Sequence, residues 1–498
     1  MTGTYRAIIF FVFVVIAFLC CNTLLWAASS VPQVFLVQNS GWMLPFYDDP
    51  SSRLKDIVVE LSDRVRKYGG EHQVVASFNQ TWGENKSPRL HYKGNDQIKI
   101  NEAIRSIEPA HKPGKTTYAD TDFKEAIVGA INNFSPGKSC LLWIVTNNKN
   151  SPDNSSETIE KNKDFYHFLQ ESGDIKRIVA FPYPLKVQSR SQPNFRANGL
   201  MIYALAYGDE ADKHLQQMLS VNAPFGKQAA RLKPLNAEAL TFIPKGVKGS
   251  NSIKASMFDH KTLVLTFDAA SKPEVAEITG QFRNDFFPYD ILSASVSMTS
   301  GFRGGQEGIS SQLSNDKISY IPAGGLSSDI IVKISVPPIP SPWSPDVIFG
   351  AGYRSNGIIR FELKDQHLEI SKDFVKSMSE IFPNDPLPDL FVPGKLANNS
   401  VTLQPLLIQV VYPSWPTIVI GILFLLIIGI VITGIIVLRR EKIYRVSVDG
   451  AQKPYGLRPF GEAVIKNSQG ERIGVLRRGF GKPVVTVDKG KTCNVRVM

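Results

Sequence analysis

Three short stretches of this chain carry polar side chains that could act together: Gln38-Asn39-Ser40-Gly41-Trp42-Met43 behind the apolar run Val34-Phe35-Leu36-Val37, Thr121 within Tyr118-Ala119-Asp120-Thr121-Asp122, and Asn147 behind Leu141-Leu142-Trp143-Ile144-Val145-Thr146. The chemistry they offer is neutral hydrogen bonding. Gln38 and Asn147 are amides and Ser40 and Thr121 are hydroxyls, beside Trp42, a residue type enriched at interface hot spots. Catalysis has no comparable support. The seven histidines are scattered, and no His-Glu-x-x-His, Gly-x-Ser-x-Gly or Walker loop places a nucleophile, a base or a phosphate. The chain is therefore expected to bind rather than to catalyse, and to need no cofactor.

The three stretches, in this order, resemble the metal loops of the von Willebrand factor A family. That family's first strand ends in Asp-x-Ser-Gly-Ser-Met, which supplies one carboxylate and two hydroxyls to a bound Mg²⁺. The resemblance puts Gln38 at the carboxylate position, Ser40 at the first hydroxyl and Trp42 at the second. Residues 118–127 look like the family's Gly-Gly-Thr-(Asp/Asn)-…-Ala-Leu segment, so Thr121 matches its metal-contacting threonine, ahead of Thr116 and Thr117. Residues 141–148 resemble the apolar strand that ends in Thr-Asp-Gly, and Asn147 takes the second carboxylate position. The resemblance covers residues 31–225 and implies a doubly wound, Rossmann-type α/β domain with a degenerate metal-ion-dependent adhesion site. Mg²⁺ is a hard cation normally held by at least one carboxylate, so two amides in those places imply no metal. The alternative is that Asp48, Asp49, Asp120 or Asp122 moves in; these residues serve equally as loop charges or helix caps.

The elements that must position these loops follow from periodicity. After the first strand, Leu54, Ile57, Val58, Leu61 and Val65 fall at helical spacing and give one apolar face. Residues 72–78 read as a strand, 122–132 as a helix, and 140–145 as a strand buried on both faces. A polar stretch at 155–170 reads as helical, 178–181 and 200–207 as two further strands, and 211–219 as a helix. In a doubly wound sheet the loops at the carboxyl ends of the strands form the crevice, and the loops of Gln38 to Trp42, Thr121 and Asn147 all belong to that edge.

From about 235 to 405 the pattern changes to short β-rich runs such as Leu263-Val264-Leu265-Thr266-Phe267, bounded by Gly, Ser, Asn and Pro, with scarcely a helical period before residues 372–380. This predicts a β-sandwich. Pro337-Pro338-Ile339-Pro340-Ser341-Pro342 reads as a stiff connection, as do Pro383, Pro386, Pro388 and Pro393.

Two segments are too apolar for a core alone. Residues 1–28 have the layout of a secretory signal peptide, with an uncleaved signal anchor as the alternative. Residues 418–438 read as a transmembrane helix, with Tyr412 and Trp415 at one end and Arg439, Arg440, Lys442 and Arg445 at the other. The positive-inside rule then puts residues 30–415 outside and the tail 439–498 in the cytoplasm. That tail holds 14 Lys/Arg against 5 Asp/Glu, a net of +9 out of the whole chain's +11, which favours anionic lipid over nucleic acid as its contact. In the tail, residues 463–466 and 471–476 read as one hairpin, and 483–487 with 494–497 as a second.

Of four cysteines only Cys140 lies in the large extracytoplasmic part, so no disulfide forms within it. This favours a bacterial inner-membrane protein with a periplasmic domain. The expected function is that of a membrane-anchored scaffold or assembly protein with a metal-independent protein-docking face at Gln38, Ser40, Trp42, Thr121 and Asn147. The alternatives are a transmembrane sensor that couples an external ligand to the tail, and a metal-dependent adhesin.

Overall fold

The computed structural model describes residues 31–149, 165, 167–249, 252–302, 306–309, 312–349, 352–382, 396–479, 481–490 and 493–498. The expected signal segment, most of the polar stretch at 155–170 and the proline connector at 383–393 lie outside the described residues. The described parts form two compact units, one from Met1–Pro338 with Arg354–Val410 and the other from Ile339–Tyr353 with Val411–Met498.

In the first unit, β1 (Gln33–Gln38), β2 (Gln73–Phe78), β3 (Arg89–Gly94), β4 (Cys140–Thr146), β5 (Ile175–Gln188), β6 (Arg196–Tyr207) and β7 (Ala230–Lys233) form one sheet in the order β3-β2-β1-β4-β6-β5-β7. The central strands β1, β2 and β4 are buried along their whole length, as their unbroken apolar runs require. β1 runs parallel to β2 and β4. Every other pairing in the sheet is antiparallel: β3 on β2, β6 on β4, β5 on β6 and β7 on β5.

This corrects the expected fold. The sheet is not doubly wound, and the described residues are mainly strands arranged in five sheets. The physical reason lies between β5 and β6. A parallel return needs a crossover of about a dozen residues or more, usually a helix, whereas here the loop of residues 189–195 closes directly, with Ser189 N donating to Phe195 O at 2.9 Å. A loop that short reverses the chain, and the strand run taken as part of a parallel sheet becomes an antiparallel ribbon.

Helices cover both faces of this sheet. They include α1 (Leu44–Asp48), α2 (Leu54–Arg66), α3 (Gln97–Arg105), α4 (Phe123–Phe134) and α5 (Asp209–Ser220), and residues 167–171 are helical as well. One face packs Leu54, Ile57, Val58, Leu61 and Val65 of α2, with apolar residues of α3 and α5, onto Phe35, Val37 and Trp143. The other packs α4 onto Val34, Leu36 and Ile144, and this same core takes Phe374, Met378, Ile381 and Phe382. Those four come from α7 (Lys372–Ile381) and the residue after it, far along the chain. The approach is close: a Cβ on Gly199 of β6 would lie 2.2 Å from Ile381 Cγ2 and 2.8 Å from Tyr183 O.

The rest of the first unit is two β-sheets. β8 (Leu240–Val247), β11 (Val275–Asn284), β14 (Gln312–Leu313) and β16 (Ile330–Ser335) form one, in the order β14-β16-β11-β8. β9 (Ile253–Phe258), β10 (Thr262–Asp268), β12 (Tyr289–Phe302), β13 (Gln306–Ile309), β17 (Tyr353–Ile370) and β18 (Ser400–Val411) form the other, in the order β13-β12-β17-β18-β10-β9, with β15 (Lys317–Ile318) on β12. Phe242 and Phe282 of the first sheet meet Phe361 of the second at ring-centroid distances of 6.5 and 5.1 Å. Gln404 of β18 bridges the same gap, exchanging two 2.9 Å hydrogen bonds with the Phe242 backbone. Two sheets packed through interdigitated aromatics make the β-sandwich that the alternating runs predict.

The second unit contains α6 (Pro345–Phe349) and α8 (Trp415–Arg439). Trp415–Val437 of α8 is, among the described residues, the one stretch of helix long and apolar enough to cross a membrane; at about 1.5 Å per residue it reaches roughly 34 Å. The stiff segment before α6 carries no strand and is tied to the start of α8: Tyr412 Oη donates to Pro340 O at 2.8 Å, and Trp343 packs edge-on against Trp415 with ring centroids 5.0 Å apart. After α8, β19 (Lys442–Val448), β20 (Ala451–Leu457) and β24 (Val495–Val497) form one small sheet, and β21 (Glu462–Lys466), β22 (Arg472–Arg477) and β23 (Val484–Val487) another, around a shared core of Val446, Val448, Leu457, Ile465, Ile473 and Leu476. The first expected hairpin is β21–β22. The second is not formed: β23 pairs with β22 and β24 with β19, because each finds a longer strand edge to complete.

Candidate functional site

β1 ends at Gln38, and a short helical turn over Gly41–Met43 carries the chain off the sheet edge. The loop that brings in Thr121 is stitched to it by Gly41 N donating to Ala119 O at 2.9 Å and Ala110 N to Asn39 O at 2.8 Å. Gly41 is needed here, because a Cβ would lie 2.7 Å from Tyr118 Cβ, an atom that cannot swing away. Asp122 caps α4 by accepting from Glu125 N at 2.9 Å, which fixes the exit of the same loop. β4 ends at Thr146 and delivers Asn147 and Asn148, the latter in the left-handed region at φ 66°. Strand end, stitched loop and helix cap thus converge on one edge.

Gln38 is at the centre of what they bring together. Its Nε2 donates to Thr121 Oγ1 at 2.7 Å, to Ser40 Oγ at 2.8 Å and to Lys149 O at 3.1 Å, and its Oε1 accepts from Thr146 Oγ1. Gln38, Ser40 and Thr146 are fully buried, and Thr121 and Asn147 nearly so. Thr116 and Thr117, by contrast, are exposed in the loop that precedes Thr121. Asn147 Nδ2 donates to Trp42 O at 2.7 Å, and its Oδ1 accepts from Lys149 N at 3.2 Å. Asn148 N donates to Thr146 Oγ1 at 2.8 Å, and Tyr203 Oη to Asn148 Oδ1 at 2.6 Å. Tyr47 Oη donates to Gln38 O at 2.9 Å; burial first, and then the Glu108 carboxylate, push its ionisation far up, so it stays a donor.

This donor set does not fit a divalent cation. An amide N–H points at the two hydroxyls a metal would need, and the carboxylates that could compensate are engaged elsewhere. Asp48 is tied through Oδ2 to Ser189 and Ser191, while its buried Oδ1 has no hydrogen-bond partner among the described residues. Asp49 takes Ser51 and Gln188 N, Asp120 pairs with Lys112 at 2.6 Å, and Asp122 is spent on the helix cap. Among the described residues no group of three or more His, Cys, Asp or Glu could hold a metal.

Trp42 lies beside this network, half-buried. Lys149 Nζ stands 4.6 Å over its ring, and Phe195 meets it edge-on at 5.7 Å. Sequence reasoning missed Thr146, Asn148, Lys149, Tyr203 and Phe195. Thr146 and Lys149 flank a chosen residue and could have been found by carrying the amide's hydrogen bonds one step further along the chain. Phe195 comes from the β5–β6 turn and left no trace in any of the three stretches.

No family model and no curated protein matches the chain. Among solved structures, the ASH/PapD-like domain 7 of human CEP192 is similar over 36% of this chain and 90% of its own length, with 10% identity and a TM-score of 0.17, a likeness too slight to carry an argument.

Proposed function

We propose that this chain is a membrane-anchored docking protein that holds a protein partner at the edge carrying Gln38, Ser40, Trp42, Thr121 and Asn147, without a divalent metal. The observation that carries this reading is the Gln38 amide. Its hydrogen bonds fill the room a cation would occupy and lock three loops together from beneath, which leaves Trp42, flanked by Lys149 and Phe195, as a firmly held aromatic on the outside. A rigid aromatic with an adjacent cation loses little entropy on binding, the property that makes such residues interface anchors. The resemblance to von Willebrand factor A loops enters this proposal for the loops alone. α8 supplies the anchor, and Arg439, Arg440, Lys442 and Arg445 orient it with the basic tail in a bacterial cytoplasm, against anionic lipid, and the large unit in the periplasm.

The test is Trp42→Ala in the full chain, with partners trapped by chemical crosslinking in cells and recovered in detergent. Loss of a crosslinked partner with an unchanged melting temperature supports the docking edge. Recovery of the same partner at the same yield refutes it.

A further inference from the structure

We propose that the cleft between β5 and β7 on one side and the β9–β10 turn and the end of β11 on the other binds a small, multiply charged oxyanion, a carboxylate or a phosphate. The cleft has a volume of about 540 Å³, within the range of small-molecule sites. Four cations line it, Arg177, Arg231, Lys261 and Arg283, against two carboxylates, Glu238 and Asp285.

The pairing is uneven. Arg283 Nε is matched by Asp285 at 2.7 Å, and Arg177 Nε by Asp212 from α5 at 2.6 Å. Glu238 alone then serves the rest: it reaches Arg177 at 3.1 Å and Arg231 at 3.8 Å. Lys261 has no ion-pair partner among the described residues. Arg231 otherwise donates to the Ala237 carbonyl at 2.9 Å and lies 5.3 Å from the Phe286 ring, which holds its guanidinium in place. A network whose only task was to join two parts of the fold would close on itself, because buried unpaired charge is costly. This one keeps surplus positive charge around open space.

Two further features agree. The turn that presents His260 and Lys261 to the cleft is the tight hairpin between β9 and β10, with Asp259 and His260 at φ 50° and 59° as such a turn requires, which fixes where Lys261 starts. Burial, and then neighbouring Arg177, push Arg231 down to about 10, and burial pushes Lys261 down as well, so an anion entering the cleft favours the charged form of both. Guanidinium forks beside an ammonium match the oxygens of carboxylate or phosphate.

The full chain in detergent, titrated with inorganic phosphate and separately with citrate at constant ionic strength, decides the matter by thermal melts and calorimetry. Lys261→Met is compared with Lys254→Met, a change at an exposed position of β9. The expected result is a melting temperature that rises with one or both anions in the native chain and in the control, with affinity at least about tenfold weaker in Lys261→Met. The responding anion tells carboxylate from phosphate. No rise with either anion, or an undiminished response in Lys261→Met, overturns the proposal; should that variant fail to fold, the native titration alone decides. A failed docking test at Trp42 leaves this result untouched, since the two sites share no residue.

Discussion

Replacing Gln38 by leucine removes the amide at nearly constant volume and tests whether it holds the loop edge together. The native side chain donates to three oxygens and accepts from Thr146, but two hydrogens on Nε2 support only two full donations, so about three bonds' worth is lost. At about 1 kcal/mol net for each, and with Ser40 and Thr121 free to bond one another in part, the loss is about 2–4 kcal/mol. In a unit this large each kcal/mol shifts the midpoint by roughly 1–2 °C, so a fall of about 2–8 °C is expected in the transition of the first unit. Differential scanning fluorimetry on the full chain reads this, provided the transitions of the two units are resolved, because a multi-unit chain has no single midpoint. A variant that melts within about 1 °C of the native chain, a shift of under about 1 kcal/mol, would refute the reasoning that the amide holds the three loops together.

Gly41→Ala forces a Cβ to 2.7 Å from Tyr118 Cβ; it should cost about 1–3 kcal/mol and separate the two stitched loops, seen as faster hydrogen exchange at Gly41 N and Ala110 N. Arg177→Met leaves Asp212 and Glu238 facing each other with no cation between them, and a loss of about 3–5 kcal/mol in denaturant titration is expected, because the Arg177 side chain is only 3% exposed. Burial raises the Glu238 ionisation, but Arg177 and Arg231 outweigh it and hold the carboxyl below its usual range. A depressed carboxyl stabilises fully above its unfolded value of about 4.3 and loses that contribution as pH falls through the folded value, so Glu238→Gln should flatten the acid limb of a stability–pH curve. Burial pushes the Cys140 thiol up to about 11, so iodoacetamide at pH 8 should leave it unmodified in the folded chain and alkylate it after guanidinium unfolding, read by peptide mass spectrometry.

Much of the scaffold was legible because it rests on local pattern. The buried runs of β1 and β4, the helical spacing of α2, the β21–β22 hairpin and the apolar length of α8 are each stated within a dozen or two consecutive residues. Strand direction was not. The apolar residues of β5 and β6 read the same whether the chain returns parallel or antiparallel, and the deciding loop at 189–195 contains Ser, Arg, Gln, Pro, Asn and Phe but no glycine to mark a tight turn. The site divides the same way. The amides Gln38 and Asn147 at the ends of two apolar runs were visible in the letters, as was the preference for Thr121. That the Gln38 amide turns inward and bonds the hydroxyls, and that Trp42 is flanked by Lys149 and Phe195, depends on side-chain direction and on residues that no motif contained.

The packing of α7 on the first sheet also dictates an order of events. Val34 and Leu36 are among the first core residues to be synthesised, yet the face they belong to is completed only by Phe374, Met378, Ile381 and Phe382. Until the ribosome has passed Phe382, a nascent chain has that face covered by α4 but not by α7, and the sandwich is incomplete as well, because β18 follows α7 in the chain. Chains cut short before α7 should therefore be chaperone clients and aggregation-prone, however well their own strands pair. The strands β8 to β17 lie between the first sheet and α7, so early termination among them harms the sheet that precedes them as well as the sandwich.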